Sequence, residues 1–324
     1  MARYAPRGKN CYRNVKITSL DKCRKTLYFS SASKQRRLLM LLDQERINSV
    51  FQKVERQLAK IASKPQPDHV HQFRTSTRRI EALLQELVPK QDRNQRKLLK
   101  ELSQLRRRAG RIRDVDVQVQ ALLSLKAPQE ATLKAEVLRS LAEMRAKREA
   151  KLLKALDKQT VRELRKRLKR AAESPEILKN GRNPFTVASQ MLTRLIRISD
   201  PPREKLLHQY RIRGKRIRYV AELAGDRPEA RQMVEQLKRT QDALGEWHDW
   251  LTLVETVQKH VRSEARSPLL AELNNITRAK FREAIAVVQE TRSETSTKPV
   301  LITQAKGGRR KPVASQEQAA VAIA

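Results

Sequence analysis

Aromatic rings are scarce in this sequence, with two Trp, five Tyr and five Phe in 324 residues. So few cannot build the rows of stacking platforms that hold single-stranded nucleic acid, and no recognition-helix, zinc-finger or RNP-type signature accompanies them. Glycine is rarer than most residue types, at eight positions, and none lies in a Gly-rich loop ending in Gly-Lys-Ser/Thr that could cradle nucleotide phosphates. Acids are also in short supply, and no acidic cluster stands ready to hold Mg²⁺. Phosphohydrolase or phosphotransferase chemistry is therefore not expected, nor is a cofactor. The only cysteines are Cys11 and Cys23. Without a Cys or His partner set they make a poor metal site, and a chain so poor in thiols suits a reducing cytoplasm. No apolar run approaches the roughly 20 residues of a membrane span. The N-terminus carries early positive charges but no apolar h-region, so neither membrane association nor a signal peptide is expected.

What the chain has in excess is positive charge. Lys and Arg number 71 against 35 Asp and Glu, a net +36. Such an excess opposes compaction by self-repulsion and calls for a polyanionic partner. It is not confined to the ends. Residues 1–36 hold ten Lys or Arg and one acid, and residues 291–324 hold six and two, which leaves about +23 on the segment between them. A basic site built into the fold is expected.

Charged residues at helical spacing and the low glycine content predict an all-α protein. Residues 1–35 have no period and read as a basic irregular arm. Helical patterning begins near Lys34 and breaks at Lys64-Pro65-Gln66-Pro67. Asp68 is the expected N-cap of a helix reaching about Leu87, and after Pro89 a long helix is expected over about 91–125. Pro128 opens a stretch running to Ala172, with a core stripe of Leu133, Val137, Leu141 and Met144. Ser174-Pro175 and Asn180-Gly181-Arg182-Asn183-Pro184 form the clearest linker. Further helices are expected over about 184–198, from an Asp200-Pro201-Pro202 cap to Gly225, from Pro228 to about 262, and from Pro268 to about 290. The tail 293–324, basic and Ala-rich, is expected to be disordered.

Four helical stretches thus lie on each side of residue 180, and the two sides resemble each other. His71-Gln72-Phe73-Arg74 returns as His208-Gln209-Tyr210-Arg211, and Arg78-Arg79-Ile80 as Lys215-Arg216-Ile217. Downstream, Gly110-Arg111-Ile112-Arg113-Asp114 is echoed by Gly245-Glu246-Trp247-His248-Asp249. Two four-helix bundles related by an internal pseudo-twofold duplication, with halves at about 36–173 and 182–292, are the natural architecture.

On a wheel advancing about 100° per residue from His71, Phe73, Ile80, Leu83, Leu84 and Leu87 gather between roughly 120° and 220°. His71, Arg74, Arg78 and Arg79 fall within about 80° of zero, on the opposite side. In the second copy Tyr210, Ile217, Val220 and Ala221 face the core, opposite His208, Arg211, Lys215, Arg216 and Arg218. A cationic stripe is ordinarily just a solvated face. Here few acids interrupt it, Arg predominates over Lys, and it occurs twice in matching register. The planar Arg fork suits bidentate phosphate contact. His69 and His71 do not share a helix face, and no His-x-x-x-His or Glu-x-x-His pair offers a metal site. His71 and His208 are expected to donate hydrogen bonds beside the Arg groups, with Asp114 and Asp249 orienting Arg or His. Gly214 lies mid-helix, at a cost of up to about 1 kcal/mol, where it would permit close approach of a partner helix or of the polyanion.

In these residues the sequence resembles the CHAD family, named for a conserved-histidine α-helical domain. The resemblance is carried by His71-x-x-Arg74-x-x-x-Arg78-Arg79, Gly110-x-x-Arg113-Asp114, His208-x-x-Arg211-x-x-x-Lys215-Arg216-x-Arg218-Tyr219 and Leu244-Gly245-x-x-His248-Asp249, and covers about 36–292. It implies two four-helix bundles and a basic central surface that binds inorganic polyphosphate, with association with polyphosphate granules. The binding roles it implies fall on His71, Arg74, Arg78, Arg79, Arg113, His208, Arg211, Lys215, Arg216, Arg218 and His248. Arg106, Arg107 and Lys238 join them by helical position, and Tyr219, on the cationic face, as a hydrogen-bond donor to phosphate. The triphosphate-tunnel domain that accompanies many CHAD domains has no counterpart here, so binding without catalysis is expected. The rival is nonspecific nucleic-acid binding, which a +36 chain will show weakly at low salt in any case.

Overall fold

The computed structural model describes residues 44–198, 203–261 and 267–297, and all regular structure among them is helical. The 1–35 arm with both cysteines, the helix start near Lys34, the Asp200-Pro201-Pro202 cap and the tail beyond Thr297 lie outside the described residues. The helices are α1 (Gln44–Ser63), α2 (Pro67–Ala82), α3 (Arg93–Ser124), α4 (Ala131–Lys154) and α5 (Lys158–Ala172). They continue with α6 (Pro175–Asn180), α7 (Pro184–Ile196), α8 (Glu204–Glu222), α9 (Pro228–Gln258) and α10 (Pro268–Thr297). Proline opens α2, α6, α7, α9 and α10, where its fixed φ and missing N–H suit the first helical position. No helix among the described residues is long and apolar enough to cross a membrane.

Local chemistry shifts several of the expected boundaries. Asp68 sits in the first turn of α2, one residue inside Pro67, and the N-cap is Gln66. α2 gives way to a π-helical turn at Leu83–Leu87 that keeps all three leucines buried. Asp92 caps α3 through a reciprocal capping box with Gln95, which satisfies two orphan donors at once. The stretch expected from Pro128 to Ala172 is two helices. The Asp157 carboxylate accepts the Thr160 N–H at 2.6 Å and starts α5 afresh, a local bond that competes with continuation of α4. The linker near residue 180 contains the short α6, which delivers Ile177 to the core. α10 extends past residue 290 into the segment assigned to the tail.

α1 packs on α2, α2 on α3, α3 on α5, and α5 returns to α1. The helices α7, α8, α9 and α10 close a second circuit in the same manner, and the circuits meet where α2 contacts α8 and α3 contacts α9. One apolar core runs through both circuits, from Val54, Phe73 and Leu164 to Tyr210, Leu244 and Val288. A second core joins the far ends of α3 and α9 to α4 and the start of α10, through Val115, Leu122, Val137, Leu141, Leu253 and Leu273. The long helices α3 and α9 therefore thread both cores and fix the angle at which α2 and α8 face each other. Of the stripe expected on α4, Val137 and Leu141 are buried, while Leu133 and Met144 pack part-buried at its margin.

The end of α8 is tied to α1. Gly225 adopts φ +86°, a left-handed conformation open to glycine at little cost. Arg46 reaches across from α1, donating to the Leu223 carbonyl at 3.4 Å and lying 3.8 Å from Asp226. A Cβ on residue 225 would stand 2.3 Å from the Arg46 Nη1. Gly225→Ala therefore both strains the backbone and displaces this contact. Urea unfolding should show a loss of about 1–2 kcal/mol, with Arg46→Ala in the Gly225→Ala background adding little.

Candidate functional site

The apolar stripes settle where their period puts them: Phe73, Ile80, Leu83, Leu84 and Leu87 are fully buried, as are Tyr210, Ile217, Val220 and Ala221. Burying these faces turns the opposite stripes of α2 and α8 toward the junction of the two circuits, where α3 and α9 also converge. Arg74 and Arg78 come from α2, Arg113 from α3, and Arg211 and Lys215 from α8. All five are half-buried.

Their mutual influence shows that they form one cluster. Arg74 lies in the field of Arg78, Arg113 and Arg211, and Lys215 in that of Arg211, Arg78 and Arg74. Among the described residues fewer carboxylates than cations reach this cluster: Asp114, Asp249 and Glu81, the last of which acts on Arg78 while bonded to Arg106. Asp114 Oδ1 is 3.8 Å from Arg74 Nη1, and Asp249 sits beside Arg211 and Lys215. Arg74 lies over Gly110, its Nε 3.7 Å from where a Cβ would stand. Among the described residues the buried Nε of Arg211 has no hydrogen-bond partner.

Burial and crowding shift the protonation of several of these groups. Burial, then the positive fields of Arg211, Arg78 and Arg74, bring the Lys215 ammonium down from 10.5 to about 7. Burial likewise holds Arg74, Arg78 and Arg211 below the ordinary guanidinium value. His248 is pushed down to about 4 by burial, Arg211, His208 and Lys215, and His71 is lowered by burial, Arg113 and Arg74. Asp249 is raised, because its burial outweighs the attraction of Arg211 and Lys215. The lowered Lys, Arg and His values favour a less positive cluster, the raised Asp249 a less negative one, and burial, which disfavours any charged form, is the first cause of each.

The remaining expected residues sit around this cluster in different ways. His208 is exposed, with its ring centroid 5.9 Å from that of His248. Arg106 borders Arg78 but bonds Glu81 at 2.8 Å. Arg79 and Arg218 share Glu222, at 2.7 and 3.7 Å. Arg216 is exposed and pairs with Glu86, with Gln85 at 3.3 Å. The stripe is therefore less free of acids than the sequence suggests, since Glu81, Glu86 and Glu222 reach it from other turns and other helices. Arg107 and Lys238 are exposed on α3 and α9.

Tyr219 departs from its expected place. It is 4% exposed and lies beneath Arg218 and Arg79, whose guanidinium carbons are 5.0 and 5.8 Å from its ring centroid. It serves as an aromatic floor for cations, not as a face turned to solvent. At Gly214 an added Cβ would meet nothing within 4 Å, so among the described residues no partner helix approaches it, which removes the first of the two readings given for this glycine. Glu222 and the place of Gly110 beneath Arg74 were not read from the sequence. The i,i+4 spacing of Arg218 and Glu222 was the available signal for the first.

The CHAD domain family model matches residues 45–258. Two solved structures share the fold. The CHAD domain from the plant Ricinus communis is 17% identical, with a TM-score of 0.55 over 80% of this chain and 89% of that one. PptA from Streptomyces chartreusis is 16% identical, with a TM-score of 0.53 over 80% of this chain and 100% of that one. No curated protein matches the sequence.

The depressed Lys215 makes stability depend on pH with a definite sign. Between about 7 and 10.5 the unfolded chain holds a proton on Lys215 that the folded chain has released. Folding is then favoured as pH rises through this window. His248 and His71 give up their protons below it. Wild type should gain stability relative to Lys215→Met between pH 7 and 9, read from urea titrations of both. A difference that stays flat across that range contradicts the assignment.

Proposed function

The chain belongs to the CHAD family, a family associated with polyphosphate binding, and on that premise we propose that it binds inorganic polyphosphate without hydrolysing it. The observation that carries the reading is the half-buried cluster of Arg74, Arg78, Arg113, Arg211 and Lys215, drawn from both circuits and outnumbering the carboxylates that reach it among the described residues, Asp114, Asp249 and Glu81. An anion entering among these groups relieves their repulsion and satisfies donors such as the Arg211 Nε. Guanidinium forks favour phosphate oxygens. A thin, flexible phosphate chain can follow a cleft between helices, whereas a rigid duplex meets mainly the outer surface.

We read the paired circuits as a duplicated unit, so that α2 and α8 present equivalent stripes to one ligand. His71, His208 and His248 then donate hydrogen bonds at the margin of the cleft. Arg106, Arg79, Arg216 and Arg218 supply longer-range positive charge from within their ion pairs. Asp114 and Asp249 are engaged with Arg74 and with Arg211 and Lys215, which fits orientation of cations better than proton transfer. Retention on polyphosphate granules follows if the polymer is the ligand.

The test compares single substitutions at fixed salt. Arg74→Ala and Arg211→Ala should each weaken polyphosphate binding about tenfold or more, since charge-assisted contacts contribute about 1.5–3 kcal/mol each. Arg162→Ala, on the exposed face of α5, should change it less than about twofold. Equal effects of all three would reduce the repeated motif to scaffold. Duplex DNA that displaces polyphosphate at equal phosphate concentration in roughly 150 mM salt, where the Debye length is about 8 Å, would move the assignment to nucleic acid.

A further inference from the structure

A second basic groove lies on the other side of α2, between it and α1. Lys53, Arg56 and Lys60 line it from α1, and Gln72, Thr75 and Arg79 from α2, around a volume of about 360 Å³. On α1 the three cations fall within about 60° of one another, at the i, i+3 and i+7 positions of one exposed face. Like charges at this spacing destabilise a helix. Glu55 points well away from that face, and among the described residues no carboxylate pairs with Lys53, Arg56 or Lys60. The 1–35 arm is a poor occupant for such a groove, since it is itself strongly basic.

Arg79 connects the groove to the central cluster. It lines the groove, follows Arg78 in sequence, and lies over the Tyr219 ring beside Arg218. Tyr219 also borders Arg78. Among the described residues the acids at this junction are already held, Glu222 by Arg79 and Arg218 and Glu81 by Arg106. A run of positive charge thus passes from the cluster across Arg78, Tyr219 and Arg79 to Lys53, Arg56 and Lys60.

We propose that the α1–α2 groove is a second phosphate-binding site that takes the continuation of a long chain leaving the central cleft. This rests on the polyphosphate reading of that cleft. The α1–α2 groove sets preference for chain length: a short oligophosphate fills the central cluster alone, and a long one occupies both. The linked sites then act as a bivalent receptor, where the second contact benefits from high effective concentration.

The experiment measures long-chain polyphosphate and tripolyphosphate against four proteins. These are wild type, Arg74→Ala, the combined variant Lys53→Ala/Arg56→Ala/Lys60→Ala, and a charge-matched Arg139→Ala/Lys147→Ala/Lys151→Ala on the exposed face of α4. The α1 variant should lose about tenfold in affinity for the long chain and less than about twofold for tripolyphosphate. Arg74→Ala should weaken both ligands. Far-ultraviolet circular dichroism checks that helix content is kept. Unchanged long-chain affinity in the α1 variant overturns the proposal, as does an equal loss in the α4 variant or an equal loss for both ligands. Wild type that binds neither ligand overturns the polyphosphate reading itself, and the groove proposal with it. Wild type that binds both, with Arg74→Ala impaired and the α1 variant unaffected, overturns the groove alone.

Discussion

Repulsion among Arg74, Arg78, Arg113, Arg211 and Lys215 is the constraint against which the rest of this fold is built. Lys215 falls from 10.5 to about 7, first through burial and then through the fields of Arg211, Arg78 and Arg74, a shift on the order of 5 kcal/mol toward the neutral amine. Nothing within the cluster compensates this fully, because Asp114 stands 3.8 Å from Arg74 and Asp249 is itself pushed toward its neutral form by burial. The opposing stabilisation comes from outside the cluster. The apolar stripes of α2 and α8 are buried against a core that spans both circuits, and α3 and α9 extend into a second core at their far ends. Helices pinned at both ends cannot rotate to release their cations to solvent.

Peripheral ion pairs have a different task. Glu222 draws Arg79 and Arg218 together over Tyr219, Glu81 holds Arg106, and Arg46 clasps the end of α8. Apart from the Arg218–Glu222 pair within α8, these contacts cross between segments distant in sequence and lock the mutual orientation of the stripes. The pairs at Glu222 and Glu81 are part-buried, and solvent still screens contacts near a protein surface. Their value is geometric, since they leave the central five as the groups with the greatest unmet need for negative charge. On the proposed polyphosphate reading, that division gives a chain of net +36 its least compensated cations at the junction of the two circuits.

Much of this was legible in the sequence because helical period is a strong signal. The buried faces of α2 and α8, the long α3 and α9, and the convergence of His71, Arg74, Arg78, Arg211 and Lys215 all follow from spacing and from the internal echo. What was not legible depends on contacts between distant segments. Glu81 and Glu86 lie near the stripe in sequence, yet only packing shows that they meet Arg106 and Arg216. Arg145 reads as one more surface cation, but it holds the buried Asp116 at 2.7 Å and the Pro65 carbonyl at 3.0 Å. Tyr219 falls within the cationic stripe, about 20° from His208 on the wheel, and only the packing of Arg79 and Arg218 over its ring shows it to be a buried floor. The break at Leu156-Asp157 was hidden for another reason: Asp at an N-cap and Asp on an exposed helix face look alike until a backbone N–H is seen to reach it.

If unrelieved positive charge defines the cleft, a bound polyanion must return the missing proton to Lys215. Calorimetric titration of polyphosphate at pH 8, in two buffers of different ionisation enthalpy, counts that proton directly. With Lys215 at about 7 in the free protein, most molecules enter the titration with a neutral amine. The account predicts uptake approaching about one proton per site in wild type, and a clear loss of that uptake in Lys215→Met. Binding with no proton uptake in wild type, or with the same uptake in both proteins, would contradict it.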